Sequence, residues 1–443
     1  MTNKKKLSLF SVILININIM LGSGIFVNTV LLSKLTGSLS PLSYIIVGIL
    51  LLPLILAIVK LWGSIDSGAT FYHLGLPISP FFGFLSSWSY FIGKISTLVL
   101  GIHVCFSLLQ QIIPELQSIP ILLLDAITIF IFTIFNLLNL RTGSTIQYGF
   151  IIFKLVPIIF TIFSGFYLFS KANFNSELLI PSGIPASITL VFFAFAGFEA
   201  SCSLSQSIEN PKKNGPKAIL ISYIIVVIIA TLFQFMLCGN LGKELYSLTN
   251  GYLEVFPTLI AKLSNFFQNN KIKHISIVLL NLGIAASSLG AAYGVMFSNS
   301  WNLYNLAQSN HLFMSKIFTL LNKHHIPYVC IITEGLIAII YLLITQAQQI
   351  PLQQVGALGA TISYTISTLS LLILSIDKRQ KTNIKIAIFS LISCLILLSA
   401  FIFNLSVYGI SNLLILFIFL QIIGCYMFYK KHKLGNLEIY QDL

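Results

Sequence analysis

Twelve stretches of about 20 predominantly apolar residues follow one another along the chain, each bounded by clusters of Pro, Gly, Asn or Lys. They lie near residues 8–32, 39–61, 81–110, 119–138, 145–170, 186–208, 215–241, 274–305, 326–345, 351–376, 384–404 and 410–429. Each is long enough to cross the hydrocarbon core of a bilayer. With 56% hydrophobic and 8% charged residues, a chain of 443 residues has too little polar surface for a water-soluble fold. Lipid-exposed backbone must satisfy its own N–H and C=O groups, and no ten-residue alternating strands occur. The expected class is therefore an all-α membrane protein with 12 transmembrane helices. No cleavable leader is expected, because the apolar run after Lys4, Lys5 and Lys6 is too long and no small-residue cleavage site follows it.

A formal charge of +13 could suggest nucleic acid, but in such a chain it is read as basic loops on one side of the bilayer. With the N-terminus inside, the inner side collects Lys4 to Lys6, Lys60, Arg141, Lys212, Lys213, Lys217, Lys316, Lys323, Lys378, Arg379, Lys381, Lys385, Lys430, Lys431 and Lys433. The outer side holds Lys34, Lys171 and four lysines of the 242–273 connection. That bias of about three to one predicts both termini in the cytoplasm of a cell-membrane protein. The stretch "YLEVFPTLIAKLSNFF" in this connection reads as a short amphipathic helix on the outer face or as a plain tether. The six cysteines fall mostly in apolar segments without metal-ligand spacing and are expected to pack as small hydrophobes.

Two spans carry a feature that a lipid-embedded helix should avoid. The first contains "NIMLGSGIFV" (18–27) and the sixth contains "VFFAFAGFEASCSLSQ" (191–206). Taken singly, either could be a packing surface of small residues. Together they sit near the middle of spans that open consecutive five-helix blocks, and an odd-numbered block re-enters the membrane inverted. That pattern points to a transporter of two inverted repeats, residues 1–170 and 186–376, with an accessory hairpin at 384–429 and a cytoplasmic tail at 430–443. Unwound backbone is tolerable at membrane depth where it lines a cavity. Freed N–H groups at a half-helix N-terminus suit a carboxylate, and loose carbonyls suit an ammonium. Gly22 and Gly24 permit the sharp change of direction and the close approach of a ligand. A zwitterionic amino acid carries both complementary groups.

The same residues resemble a known family. "GSGIF", the stretch "FFAFAGFEASCSLSQSIENPKKNGPKAI" (192–219) with Glu209, Asn210, Pro211 and Pro216, and "SNHLF…LNKHHIP" (309–327) are similar to the amino acid–polyamine–organocation superfamily of permeases. The resemblance spans essentially the whole chain and implies a leucine-transporter-like 5+5 inverted repeat with broken helices 1 and 6. It departs from the family pattern at Asn18, where a Gly is usual, at Asn299 to Asn302, where an Arg is usual, and at His311, where the turn usually has Gly. By motif position, the resemblance implies that Ser23, Gly24 and Ile25 donate to the substrate carboxylate. Met20 and the carbonyls of Phe195, Ala196 and Gly197 would accept from its amine. Phe193 is either the aromatic cover over substrate or one more phenylalanine of an apolar helix.

Ionisable groups at bilayer depth cost roughly 2.5–3.5 kcal/mol on insertion scales, which makes each a functional candidate. Lys154, in the fifth span, either snorkels to the cytoplasmic interface or stands where the resemblance implies a lysine in place of a sodium ion between helices 1, 5 and 8. Transport independent of sodium, by proton coupling or exchange, is the expectation. Glu199 either senses protons or holds the frayed backbone of the sixth span. Lys94, in the third span, would repel cationic side chains if it faced substrate, or would pair with Glu199 or Glu334. Asp125 and Glu334 have weaker cases, His103 reads as a packed residue, and Trp62, Trp88 and Trp301 read as interfacial anchors.

No metal spacing, nucleotide loop or nucleophile–base pair stands out, so an enzyme is not expected and no cofactor is implied. The expected function is a secondary active transporter of amino acids, sodium-independent and proton-coupled, with neutral or acidic substrates favoured. The alternative is a polyamine or basic amino acid antiporter. Expected partners are the amino acid, protons and the lipid bilayer, with no nucleic acid, and the chain acting as a monomer or homodimer.

Overall fold

The computed structural model describes residues 6–65, 69–138, 140–174, 179–377 and 381–433. Of the expected basic positions, Lys4, Lys5, Lys378 and Arg379 lie outside the described residues, as does the tail beyond residue 433. The helices are α1 (Leu9–Met20), α2 (Gly24–Thr36), α3 (Ser40–Ser64), α4 (Phe71–Gly75), α5 (Pro80–Ile112), α6 (Ile121–Asn136), α7 (Leu140–Leu168), α8 (Ile184–Phe195) and α9 (Ala200–Ser203). They continue with α10 (Pro211–Leu241), α11 (Lys243–Ser247), α12 (Val255–Lys262), α13 (Asn270–Gln308), α14 (Ser315–Phe318), α15 (Tyr328–Thr345), α16 (Gln349–Asp377), α17 (Lys381–Tyr408) and α18 (Asn412–Lys433). Among the described residues no strand forms, only isolated bridges at Leu7–Ile208 and Gly37–Leu179.

Nine of these helices are long and apolar enough to cross a bilayer: α3, α5, α7, α10, α13, α15, α16, α17 and α18. The pair α1 and α2, bent by 40°, makes a tenth when taken as one span. Helix α6, with 16 residues, and α8, with 12, are apolar but shorter. The apolar run expected at 186–208 thus does not continue as one helix. It stops at Phe195 and resumes as the short α9. Helix α10 starts ahead of the expected 215, because Asn210 takes a left-handed conformation (φ 46°) and Pro211 fills the first turn, where its missing N–H is not needed. In the 242–273 connection α12 buries Val255, Phe256, Leu259 and Ile260, as an amphipathic surface helix does.

Hydrogen bonds tie together the loops of one face of the bundle. Leu7 N donates to Ser207 O and Glu209 N to Leu7 O, Ala69 N donates to Ser205 Oγ, and the His311 ring bonds the Tyr72 hydroxyl at 2.8 Å. Lys431 Nζ then donates to Asn310 Oδ1, Leu312 O and Ser315 Oγ. Both described ends of the chain therefore lie on the same face. Burial, reinforced by the nearby Lys431, pushes the His311 imidazole down to about 4, so at neutral pH it serves Tyr72 as an uncharged partner.

Helix α5 runs through the centre, packed against α13 on one side and α16 on the other. Small residues set these distances: a Cβ on Gly101 would stand 2.9 Å from Ser288 O, and one on Gly93 would stand 2.9 Å from Gly359 Cα. Trp62 and Trp88 are not interfacial anchors. They are 1% and 7% exposed, Trp62 filling the space that Gly215 leaves and Trp88 donating to Leu420 O at 3.0 Å beside Gly424. An indole donor with a partner inside the protein has no need of the headgroup region. The outward faces of α7, α17 and α18 carry large apolar side chains, among them Phe166, Ile402 and Ile422.

Replacing Gly93 by Leu should therefore overpack the α5–α16 contact by about 1–3 kcal/mol and lower the thermal midpoint of the detergent-solubilised protein. Gly63→Leu, where a Cβ meets nothing within 4 Å, should leave the midpoint unchanged.

Candidate functional site

The helical hydrogen bonding of the first span stops in mid-run. Leu21 N still donates to Ile17 O, and the next backbone donations come from Phe26 and Val27, both to Ser23 O. Among the described residues the N–H groups of 22–25 have no partner. Gly22 lies against α13, where its Cβ would stand 2.6 Å from that of Ala291. Gly24 lies against α8, where its Cβ would stand 2.8 Å from Ala194 Cα. These contacts leave room for glycine only.

The second interruption follows from Ala196 and Gly197. Ala196 is extended (φ −66°, ψ 125°), and Gly197 takes φ +137°, a conformation that favours glycine. Its N–H turns away from the helix ladder and donates to Glu199 Oε2 at 2.8 Å. The two breaks meet in space: a Cβ on Gly197 would lie 2.7 Å from Ile19 Cγ2 and 3.1 Å from Met20 N. Met20, Ser23, Ile25, Phe193, Phe195 and Ala196 are all buried around this junction. Phe193 stands over Gly24 and also faces Gly356 of α16. Asn16 and Ser201 join the spans on one side of the breaks, with Asn16 Nδ2 donating to Ser201 Oγ and Ser201 N to Asn16 Oδ1, each at 3.2 Å. On the other side Asn28 Nδ2 donates to Leu190 O, while Gln349 and Gln353 of α16 donate to Asn28 Oδ1.

Lys154 is wholly buried on α7. Its Nζ donates to Asn18 O at 2.7 Å and Leu21 O at 2.8 Å, two carbonyls at the end of α1. Ser287 of α13 donates to the same Leu21 carbonyl. The Lys154 amine thus occupies the junction of α1, α7 and α13, held by carbonyl oxygens with no carboxylate beside it among the described residues. Asn18 itself, the departure from the family's glycine, donates to Gly290 O at 2.9 Å and to Gln147 Oε1 at 3.4 Å, tying α1 to α13 and α7.

Of the alternatives for Lys94, the structure contains the ion pair. Its Nζ lies 3.0 Å from Glu199 Oε1, with both side chains buried. Tyr90 donates to the same oxygen at 2.8 Å. Both carboxylate oxygens of Glu199 are therefore engaged, and Lys94 does not present a free positive charge. The expectation that it repels cationic side chains loses its basis. Asp125 is fully buried, 2.8 Å from His103 Nδ1, so His103 is a hydrogen-bonding partner and not merely packed. Asn16, Tyr90, Gln147 and Ser287 are missing from the sequence-derived set. Their signal was present, since each is a polar group inside an apolar span that must find a partner.

A profile described as amino acid permease matches residues 7–433. The chain belongs to the amino acid permease family. Among its relatives is the b(0,+)-type amino acid transporter 1 of Mus musculus, which is 25% identical over 358 residues, 77% of this chain and 70% of the relative. The glutamate/gamma-aminobutyrate antiporter of Lactococcus lactis subsp. cremoris is 24% identical over 212 residues, 45% of this chain and 40% of that protein. The amino-acid permease AapA of Bacillus subtilis is 24% identical over 245 residues, 52% of this chain and 50% of that permease. Family and helix content together make this permease a multi-pass membrane protein.

Because Gly197 combines a positive φ with contact to Ile19, Gly197→Ala should introduce about 1–3 kcal/mol of backbone strain. The expected result is a lower thermal midpoint and faster amide exchange across residues 16–25. Ser23→Ala, which removes a hydroxyl without a capping bond, should change neither.

Proposed function

We propose that this permease is a secondary transporter that moves amino acids by alternating access, binding the main-chain end of its substrate at the junction of the two breaks. Counting α1 with α2, and adding α6 and the pair α8 and α9 to the nine long helices, gives the twelve spans of two inverted repeats and an accessory hairpin, with both termini cytoplasmic. In this reading, the N–H groups of Gly22, Ser23, Gly24 and Ile25 receive the carboxylate, and the carbonyls of Phe195, Ala196 and Gly197 with that of Met20 receive the amine. Phe193 covers the bound molecule. The observation that carries the reading is the direct contact of Gly24 with Ala194 and of Gly197 with Ile19. It brings unpaired donors of one break beside the opened backbone of the other, which a packing surface would not need.

The neutral Lys94–Glu199 pair beside Gly197 favours substrates without a net side-chain charge. Lys154, held by the Asn18 and Leu21 carbonyls, supplies the positive charge at the place where the resemblance puts a cation, and therefore favours transport without sodium. Exchange is supported by the name of the antiporter relative, and an amino acid substrate by that of the b(0,+)-type amino acid transporter; both fit the same carrier mechanism.

Purified protein in liposomes, loaded with unlabelled amino acids and offered labelled ones, tests this. Saturable counterflow with trans-stimulation is expected, strongest for neutral amino acids and unchanged when choline replaces sodium. A linear, non-saturating flux would identify a channel, and strict dependence on sodium would remove the role given to Lys154.

A further inference from the structure

Three carboxyl groups are fully buried among the described residues: Asp125, Glu199 and Glu334. Asp125 has the His103 ring and Glu199 has Lys94. Glu334, on α15, has neither a cation nor an imidazole within ion-pair distance among the described residues. Its Oε1 accepts from Asn299 Nδ2 at 3.0 Å, and its Oε2 has no hydrogen-bond partner among the described residues.

The surroundings give it no other compensation. Helix α5 contributes Tyr90 and the Phe91 carbonyl, the latter already bonded by Asn299. Cys330 stands on α15 itself, one turn away, and bonds the Phe318 carbonyl of α14. Helix α6 places Thr133 against the neighbouring Gly335. On the other flank, Met427 of α18, Phe318 and Phe91 line an apolar crevice beside Thr333 and Ile337. An ionised carboxylate here would be a buried charge with one amide and no described cation to meet it, which costs several kcal/mol.

A directed string of hydrogen bonds leads from this group to the broken sixth span. Ser203 Oγ, on α9, donates to Asn302 Oδ1 at 3.0 Å. Asn302 Nδ2 donates to Asn299 Oδ1 at 3.1 Å, and Asn299 donates to Glu334. Every donor points toward the carboxyl group. Such a string strengthens when its final acceptor becomes charged and slackens when that acceptor is neutral. Amide groups in this arrangement do not relay protons; they report the charge at one end to the helix at the other.

We propose that Glu334 is a proton-binding site of the transporter, whose protonation is coupled to α9 through Asn299 and Asn302. The proposal rests on the carrier reading given above. It assigns the coupled proton to α15, away from the Lys94–Glu199 pair and from Lys154. In the conformation described here the group holds its proton as a neutral acid. It releases that proton when movement of α9 against α13 brings a conformation in which water reaches the carboxyl.

The test uses Glu334→Gln, which retains the oxygen that accepts from Asn299 and cannot ionise. Counterflow of labelled amino acid and substrate-induced proton flux, followed with a pH-sensitive dye, are measured on the same liposomes. The expected result is a fall of at least tenfold in the ratio of proton flux to counterflow. An unchanged ratio overturns the proposal, as does a wild-type protein that exchanges amino acids without moving protons. Absence of counterflow in the wild type would instead strike the carrier reading, and this one with it. Should the variant fail to fold, the wild type is treated with dicyclohexylcarbodiimide, an apolar reagent that adds to protonated carboxyl groups. An adduct at Glu334 that abolishes proton flux is expected; no adduct there, or an adduct without effect on the flux, overturns the assignment.

Discussion

A helix that is opened inside a membrane must find partners for the backbone groups it exposes, and the centre of this protein is organised around that requirement. At the first break, Lys154 and Ser287 reach from neighbouring helices to the carbonyls of Asn18 and Leu21. At the second, Glu199 turns back to take the N–H of Gly197. In water such groups would be satisfied by solvent at little cost. In hydrocarbon each unmade bond costs several kcal/mol, so the helices that supply these partners are fixed in place by the breaks they serve. What is left without a partner among the described residues, the N–H groups of 22–25, is correspondingly conspicuous.

The buried ionisable groups follow the same economy. Three lysines and three acids are buried among the described residues, Lys431 at the loop face and the others deeper in the bundle. Lys94 with Glu199 forms a neutral unit shared by α5 and the sixth-span break, and Asp125 with His103 links α6 to α5. Lys154 and Glu334 have no opposite charge beside them and are met by neutral groups only, carbonyl oxygens in one case and an asparagine amide in the other. Buried ion pairs are poor contributors to stability because desolvation offsets the Coulomb gain. Their presence at helix junctions is better understood as a means of fixing which helices meet and which groups carry charge there.

The ends of the first and sixth spans are also tied to each other. Leu7 pairs with residues 207–209 on one face, and Thr36 O accepts from Ile180 N on the other. With the Asn16–Ser201 contact between these ties and the breaks, the two interrupted spans form a single unit that is cross-linked along its length. Helices α5 and α13, by contrast, meet through small residues such as Gly101 and Ala292. The contact between them is a close backbone approach with few hydrogen bonds.

The all-helical character of the chain, the length of most spans and the place of both interruptions were legible from the primary sequence. Each depends on local properties: apolar length measured against bilayer thickness, and glycine where an ordinary side chain would be strained or would clash. The family resemblance was legible for the same reason, since it rests on contiguous motifs. Tertiary structure alone decided the partners. Lys94 could have faced a ligand, Glu199 or Glu334. The choice depended on α5 bringing it within 3.0 Å of Glu199, over a separation in sequence that no pattern encodes. Trp62 and Trp88 have the composition of interfacial anchors, yet Gly215 and Gly424 on distant helices leave room for their rings inside the bundle. A side chain's type fixes what it needs, and only the packing of remote segments settles which group supplies it.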